Sequence, residues 1–142
     1  MINIRSTNEI NKIAESCQIV KETLEMLEEW IQPGITTLEL DRKAEKFILS
    51  KGADPGFKGL YGYPATLCVS IDDEVVHGLP SKRELKTGEI VSIDVGSIYD
   101  DFYGDHAKSF IVGSTTIEKE KLVENTKKCL ELGIEQVKVG NS

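Results

Sequence analysis

Three side chains that could transfer protons or bind a metal ion lie in apolar, strand-like parts of the chain. They are His77, Asp94 and Asp105, all within the segment from residue 73 to residue 110. A strand of this kind normally carries valine or isoleucine, because burying a charge costs free energy unless the charge is paired. Carboxylates bind hard divalent cations, and an imidazole gains or loses a proton near neutral pH. The sequence therefore predicts that the chemistry of this chain is centred on residues 73–110.

The spacing of the two aspartates predicts that they share one face of a β-hairpin. If residues 100–101 form a two-residue turn, Gly96 pairs with Asp105 across the hairpin. Asp94 lies two residues from Gly96 and therefore points to the same side of the strand. Diagonal neighbours of this kind have Cβ atoms about 7–8 Å apart at most. A three-residue turn would instead place the two carboxylates on opposite faces.

Small residues surround the two aspartates on this predicted face, whereas the opposite face is apolar. The small residues are Ser92, Gly96, Ala107 and Ser109, and the apolar ones are Val91, Ile93, Val95 and Phe110. Small neighbours leave a hollow in which two like charges repel, unless a cation lies between them. Oxygen ligands suit ions such as manganese, iron or cobalt. The alternative is that one aspartate caps a turn or faces solvent on an edge strand.

The surroundings of His77 are typical of a strand that ends abruptly. Val75-Val76 precede it and Gly78-Leu79-Pro80 follow it. The imidazole is then expected at the mouth of a sheet, where it could donate or accept a proton. A purely structural histidine is the alternative. His106 has the opposite parity to Asp105 and is expected at the surface or behind the ligands, rather than as a ligand itself.

Two helices are expected before the strands, and each begins with a capping box. Ser6 with Glu9 forms the first box, and Thr36 with Glu39 forms the second. The first helix ends at residues 32–34, and its apolar stripe comprises Ile10, Ile13, Cys17, Val20, Leu24, Leu27 and Ile31. The second helix is expected to end at Gly52.

Strands and one further helix are expected in the rest of the chain. Residues 65–71, 89–99 and 102–112 have the composition of strands. Residues 117–138 are expected to form the last helix, with an apolar stripe made of Leu122, Cys129, Leu130, Ile134 and Val137. The order helix, helix, strands, helix predicts a single α+β domain over residues 1–142, in which helices cover one face of a curved antiparallel sheet.

The composition is that of an ordinary globular protein, with 39% hydrophobic and 29% charged residues among 142. The formal net charge of −7 argues against a nucleic acid or an anionic membrane as partner, because both require a positive surface. No apolar run approaches the roughly 18 residues of a membrane span, and no signal peptide is evident. Three cysteines without a C-x-x-C pair predict free, mostly buried thiols. We therefore expect a cytoplasmic chain.

Two stretches of the sequence closely resemble the type I methionine aminopeptidases. They are "GYPATLCVSIDDEVVHGLP" (62–80) and "LKTGEIVSIDVGSIYDDFYGDHAKSFIVG" (85–113), and "IQPGITTLELD" (31–41) fits the same family. The motifs H-G-x-P, I-D-V-G and G-D at these spacings are far more specific together than singly. The resemblance spans nearly the whole chain.

The resemblance implies a fold, an activity and a cofactor. The fold is the pita-bread fold, in which two pseudo-symmetric halves enclose a dinuclear metal centre, and residues 1–142 would form its amino-terminal half. The activity is removal of the initiator methionine from nascent polypeptides, whose N-terminal Met peptides would be the substrates. The cofactor is a pair of divalent ions, which could be cobalt, manganese, iron or zinc.

The resemblance also implies roles for individual residues. Asp94 would hold one metal ion with both oxygens, and Asp105 would bridge the two ions. His77 would hydrogen-bond the substrate and stabilise the charge that develops at the scissile bond.

The pocket for the methionine side chain follows from the same resemblance. Tyr63 and Cys68 would line it, with Phe57 as a further lining residue. Leu60 stands where many relatives have an aromatic residue, so the shape of this pocket is expected to differ.

The family has ligands that this sequence does not match. A histidine and two glutamates come from a second half, one glutamate being the general base, and nothing after Asp105 corresponds to them. One hypothesis is that the chain is half of a methionine aminopeptidase, inactive or weakly active until a carboxy-terminal half completes it. The other is a non-catalytic half-domain that binds peptides or a partner. Retention of His77, Asp94 and Asp105 favours the first.

Overall fold

Three α-helices and four β-strands make up the chain, which a computed structural model describes from residue 3 to residue 142. In chain order they are α1 (Thr7–Glu28), α2 (Thr37–Ser50), β1 (Asp54–Pro55), β2 (Leu67–Ile71), β3 (Ile90–Tyr99), β4 (Phe102–Ile111) and α3 (Ile117–Glu135). A 3-10 turn, Leu60–Gly62, lies between β1 and β2. The predicted α+β order is therefore confirmed.

The four strands form one antiparallel sheet with β3 at its centre. β4 pairs with β3 along its full length, and β2 and β1 share the opposite edge of β3. Asp100 and Asp101 form the turn between β3 and β4, with φ angles of 49° and 68°. Both angles are positive, as a type I′ hairpin turn requires, and Tyr99 pairs with Phe102. The predicted hairpin register is therefore confirmed.

Each of the first two helices begins at its predicted capping box. The Glu9 carboxylate accepts a hydrogen bond of 2.7 Å from the Ser6 N–H, and the Glu39 carboxylate accepts one of 2.9 Å from the Thr36 N–H. Helix α2 ends just before Gly52, whose φ of 73° suits the residue after a helix end. These signals are legible in the sequence because capping involves only residues three positions apart.

The hydrophobic core lies between the sheet and the helices α1 and α2. It includes all four residues predicted for the apolar face of the hairpin, namely Val91, Ile93, Val95 and Phe110. Leu24 and Leu27 of α1 and Leu40 of α2 are buried against them. The opposite face of the sheet is therefore left for the two aspartates.

The predicted contact face of α1 is wrong in the first half of the helix. Ile10 is 53% exposed and Cys17 is also exposed, whereas Ser16 is fully buried. The cause is Gly104 on β4, where an added Cβ would lie only 2.5 Å from the carbonyl carbon of Ser16. At this close approach a small side chain faces the sheet, and the Ser16 hydroxyl lies 2.8 Å from that of Ser97.

Replacing Gly104 by alanine should destabilise the protein by about 2–3 kcal/mol. The added Cβ would meet backbone atoms of α1, which cannot move aside as a flexible side chain can. Gly133→Ala is the matched control, because nothing lies within 4 Å of a Cβ added at Gly133 in α3. Alanine should stabilise that helix by about 0.5–1 kcal/mol. Urea unfolding measures both changes, and an unaltered Gly104→Ala variant would contradict the close approach.

Helix α3 packs little against the rest of the chain. None of its residues is buried, and it ends at Glu135 rather than at residue 138. Its predicted stripe is exposed, with Leu122 at 60% and Val137, beyond the helix end, at 84%. Cys129 is exposed as well, so the prediction of mostly buried thiols is wrong for two of the three cysteines. No helix among residues 3–142 is long and apolar enough to span a bilayer.

Candidate metal centre

The open face of the sheet carries both aspartates. Asp94 on β3 lies opposite Cys68 on β2 and Ala107 on β4, and Gly96 pairs with Asp105. Side chains alternate along a strand, so these residues share one face, which is turned away from α1. The two carboxylates are therefore diagonal neighbours, as the two-residue turn predicts.

Asp94 lies in an unfavourable setting for an unpaired carboxylate. Its Oδ1 atom is buried and has no hydrogen-bond partner among residues 3–142. Burial, followed by the negative charge of Asp105, raises the pKa of Asp94 to about 6, and a positive charge on His77 acts in the opposite direction. A cation between the carboxylates would satisfy the orphaned oxygen and remove the repulsion. The residues present therefore fit a divalent-ion site.

This donor set is only part of a metal centre. Across residues 3–142 no group of three or more histidine, cysteine, aspartate or glutamate side chains is placed to hold a metal ion. Hard divalent ions take about six ligands, mostly oxygens. Asp94 and Asp105 therefore need further ligands, from water or from other polypeptide, to bind an ion tightly.

Phe57 lies against the floor of the hollow. A Cβ added at Gly96 would be 2.7 Å from the Cε1 atom of Phe57, and the Gly56 N–H donates to the Gly96 carbonyl at 2.8 Å. Only glycine leaves room for this ring. Gly96 therefore allows Phe57, which lies outside the long strands, to reach the carboxylate face next to Asp105.

Cys68 is the direct cross-strand neighbour of Asp94 and is 6% exposed. Burial raises the pKa of the Cys68 thiol, and the charges of Asp94 and Asp105 act in the same direction. The thiol therefore stays protonated at neutral pH, which makes it a poor nucleophile. It offers a small apolar surface beside the carboxylates.

The prediction that a strand ends just before His77 is wrong. His77 lies in an exposed loop and has a φ of 60°. The loop begins with a turn in which the Glu74 N–H donates to the Ile71 carbonyl at 3.1 Å. It then returns along the outer edge of β2, where the Val69 N–H donates to the Gly78 carbonyl at 2.8 Å. A positive φ at a residue other than glycine costs of order 1 kcal/mol or more. Contacts on either side must therefore hold His77 in place.

Tyr63 connects this loop to the start of β2. Its hydroxyl lies 2.9 Å from the Leu67 carbonyl oxygen and 3.2 Å from the Gly78 carbonyl oxygen, and donates to them. Burial, followed by the neighbouring Cys68 thiol, raises the pKa of Tyr63. The hydroxyl is therefore a neutral donor that is already occupied by two backbone carbonyls.

Asp41 is a buried carboxylate that was not singled out from the sequence. It is 6% exposed, and its Oδ1 accepts hydrogen bonds of 2.9 Å and 2.8 Å from the N–H groups of Thr66 and Leu67. Burial raises the pKa of Asp41, and the two backbone hydrogen bonds act against this rise. The sequence does contain an indication of this burial. Asp41 lies at helical spacing from Thr37 and Ala44, and all three are on the buried face of α2.

The predicted site residues thus lie on or close to one open face of the sheet, which we call the hollow. Asp94 and Asp105 lie on that face, where Asp105 is exposed, and the other predicted residues near it are Phe57, Tyr63, Cys68 and His77. His106 pairs with Val95 on the opposite face and is exposed, as its parity predicts.

Comparisons with known proteins agree on one family. A model described as "Metallopeptidase family M24" matches residues 11–142. The chain is 48% identical over 141 residues to a methionine aminopeptidase of Clostridium perfringens, covering 99% of this chain and 57% of that protein. It is 41% identical over 140 residues to methionine aminopeptidase 1 of Bacillus subtilis, covering 99% of this chain and 56% of that protein.

A solved structure gives the same result. The crystal structure of a methionine aminopeptidase from Thermotoga maritima matches with a TM-score of 0.95 and 38% identity, covering 97% of this chain and 56% of that one. The chain therefore spans somewhat more than half the length of the relatives it matches.

Proposed function

Because the chain belongs to metallopeptidase family M24, we propose that it supplies part of the metal centre and substrate pocket of a methionine aminopeptidase. Such an enzyme removes the initiator methionine from nascent polypeptides. The proposal is supported by the fold, which matches the Thermotoga maritima enzyme and corresponds to half of the pita-bread architecture. It rests on one observation above all: Asp94 and Asp105 share one open face of the sheet, and the buried Oδ1 of Asp94 has no partner among residues 3–142.

Asp94 and Asp105 would hold the divalent ions. A bound ion supplies Lewis acidity and lowers the pKa of a water molecule. The chain's own contribution is to fix two carboxylates on adjacent strands, where backbone pairing limits their movement. Burial and mutual repulsion make two ionised carboxylates unfavourable without a cation. Binding a cation between them would therefore relieve this cost.

The margin of the hollow would bind the amino-terminal methionine. Cys68 and the rings of Tyr63 and Phe57 offer a polarizable, largely apolar wall, which suits a thioether side chain. His77, at the edge of the hollow and exposed, would hydrogen-bond the substrate near the scissile bond. Phe57 and Cys68 lie directly at the carboxylate face, and none of these residues is proposed as a metal ligand.

The remaining ligands and the general base would come from polypeptide beyond the described residues, in the same chain or in a partner. The exposed apolar residues of α3, among them Leu122 at 60% and Ile134 at 61%, support a covering segment of this kind. A substrate that emerges from the ribosome would place the complete enzyme in the cytoplasm. Which of cobalt, manganese, iron and zinc the enzyme binds would be decided by the complete ligand set.

A chimeric enzyme tests this proposal. Residues 1–142 are joined to the part of the Clostridium perfringens relative that the alignment does not cover, and release of methionine from a Met-Gly peptide is measured with cobalt or manganese. We expect the chimera to release methionine and the isolated 142-residue chain to be a poor enzyme, because its donor set is partial.

Two outcomes would contradict the proposal. A folded chimera that binds metal but does not release methionine would favour a non-catalytic half-domain that binds peptides or a partner. Robust metal-dependent release by the isolated chain would contradict the need for outside ligands. The unmodified Clostridium perfringens enzyme is the positive control.

A further inference from the structure

Two backbone carbonyls and two backbone amides near the hollow are held by the side chains of Tyr63 and Asp41. The Leu67 peptide group is held from both sides, because Asp41 accepts from its N–H at 2.8 Å and Tyr63 donates to its carbonyl at 2.9 Å. The same Tyr63 hydroxyl lies 3.2 Å from the Gly78 carbonyl oxygen. These contacts form a continuous connection from α2, through the first residue of β2, to the residue after His77.

The connection is tight as well as continuous. A Cβ added at Gly78 would collide with the Val69 carbonyl, so the His77 loop lies directly on β2. The Gly78 N–H also donates to the Ser70 hydroxyl at 3.2 Å. Since Asp41 is 6% exposed, water cannot readily replace its two backbone partners, and Tyr63 is half-buried.

We propose that Tyr63 and Asp41 are positioning residues, which together hold the strained His77 loop and the Cys68 end of β2 at the margin of the carboxylate hollow. The Tyr63 hydroxyl acts through the Gly78 carbonyl, and Asp41 acts through the Leu67 peptide group. The Tyr63 hydroxyl is therefore engaged with backbone carbonyls and is not free to bind a substrate. This inference rests on the proposed function only for what His77 does, because the contacts that carry it lie between residues of this chain.

Amide hydrogen exchange of the 142-residue chain, followed residue by residue by NMR, tests the inference directly. Tyr63→Phe keeps the ring and removes the hydroxyl, so exchange at Val69 and Gly78 should become about fivefold to tenfold faster, as expected for the loss of about 1 kcal/mol of local stability. Amides of β3 should keep their rates. Tyr61→Phe is the control, because Tyr61 is fully exposed and should change nothing.

Asp41→Asn tests whether the connection extends to α2. Exchange should accelerate at Thr66 and Leu67, which lose a charged acceptor, and also at Gly78, which Asp41 does not touch. A merely structural carboxylate would affect Thr66 and Leu67 alone, and that result would overturn the role of Asp41. Asp54→Asn, at an exposed position of β1, is the charge-matched control.

The inference is overturned if Tyr63→Phe leaves Val69 and Gly78 unchanged, or accelerates all amides of the sheet equally. In the chimera described above, Tyr63→Phe should lower kcat by about tenfold with a much smaller change in KM, because the loop carrying His77 is displaced. An inactive chimera with the expected exchange pattern would refute the proposed function and leave the positioning role standing.

Discussion

Methionine release by the chimera is expected to fall by about a thousandfold when Asp94 is replaced by asparagine, and by a similar factor for Asp105→Asn. Asparagine keeps the size of the side chain and one oxygen, but it removes the negative charge that a divalent ion requires. A bound ion contributes several kcal/mol to transition-state stabilisation, which sets the size of the loss. The kcat/KM for a Met-Gly peptide and the metal content of the purified protein measure it.

Asp101→Asn is the matched control for both substitutions. It lies in the same hairpin, removes the same charge and points into solvent. Its φ of 68° is one that asparagine adopts at least as readily as aspartate, so the turn should form normally. If Asp94→Asn retained both metal and activity, or if Asp101→Asn lost them, the assignment of Asp94 as a ligand would be wrong.

The hairpin could be predicted because its information is local. Asp100 and Asp101 favour a two-residue turn, and once the turn is fixed the period of two along each strand determines the face of every side chain. The pairing of Gly96 with Asp105 and the shared face of the two aspartates follow from this. Both capping boxes could be predicted for the same reason, because each involves residues only three positions apart.

The surroundings of the hairpin depend on long-range contacts that periodicity does not reveal. Gly104 brings α1 so close that Ser16, and not a larger apolar residue, faces the sheet. The role of Asp41 cannot be predicted from local pattern, because its partners, two backbone N–H groups, lie about 25 residues further along the chain. The sequence wrongly predicts a strand end at His77 because Val75 and Val76 have high strand propensity, yet both are exposed.

The metal-free chain is expected to lose stability as the pH rises from about 4 to about 6, and Asp94→Asn is expected to abolish that loss. Burial, and then the charge of Asp105, raises the pKa of Asp94 to about 6, whereas an aspartate in an unfolded chain titrates near 3.9. Between these values the folded state keeps a proton that the unfolded state has released. The free energy of unfolding therefore falls with rising pH in this window and is constant above it, as far as this group is concerned.

The size of the effect follows from the partial burial of Asp94. A shift of this extent corresponds to about 3 kcal/mol for a fully buried group, but Asp94 is only partly buried and solvent screens its charge, so we expect about 1–2 kcal/mol. Asp94→Asn should match the wild type near pH 4 and exceed its stability at pH 7. Urea unfolding between pH 4 and pH 7.5 gives the comparison.

Two further variants separate the causes of this raised pKa. Asp105→Asn removes the second cause but not burial, which is the larger one, so it should recover only the smaller part of the loss. Asp101→Asn changes the net charge equally and should keep the wild-type pH profile. Carboxylates with lowered pKa, such as Asp72 and Glu89, act in the opposite direction at lower pH but are common to all variants, so they cancel in the differences.

An Asp94→Asn profile parallel to that of the wild type would mean that the carboxylate is not held in an unfavourable charged state. The main physical reason for a cation between Asp94 and Asp105 would then be lost.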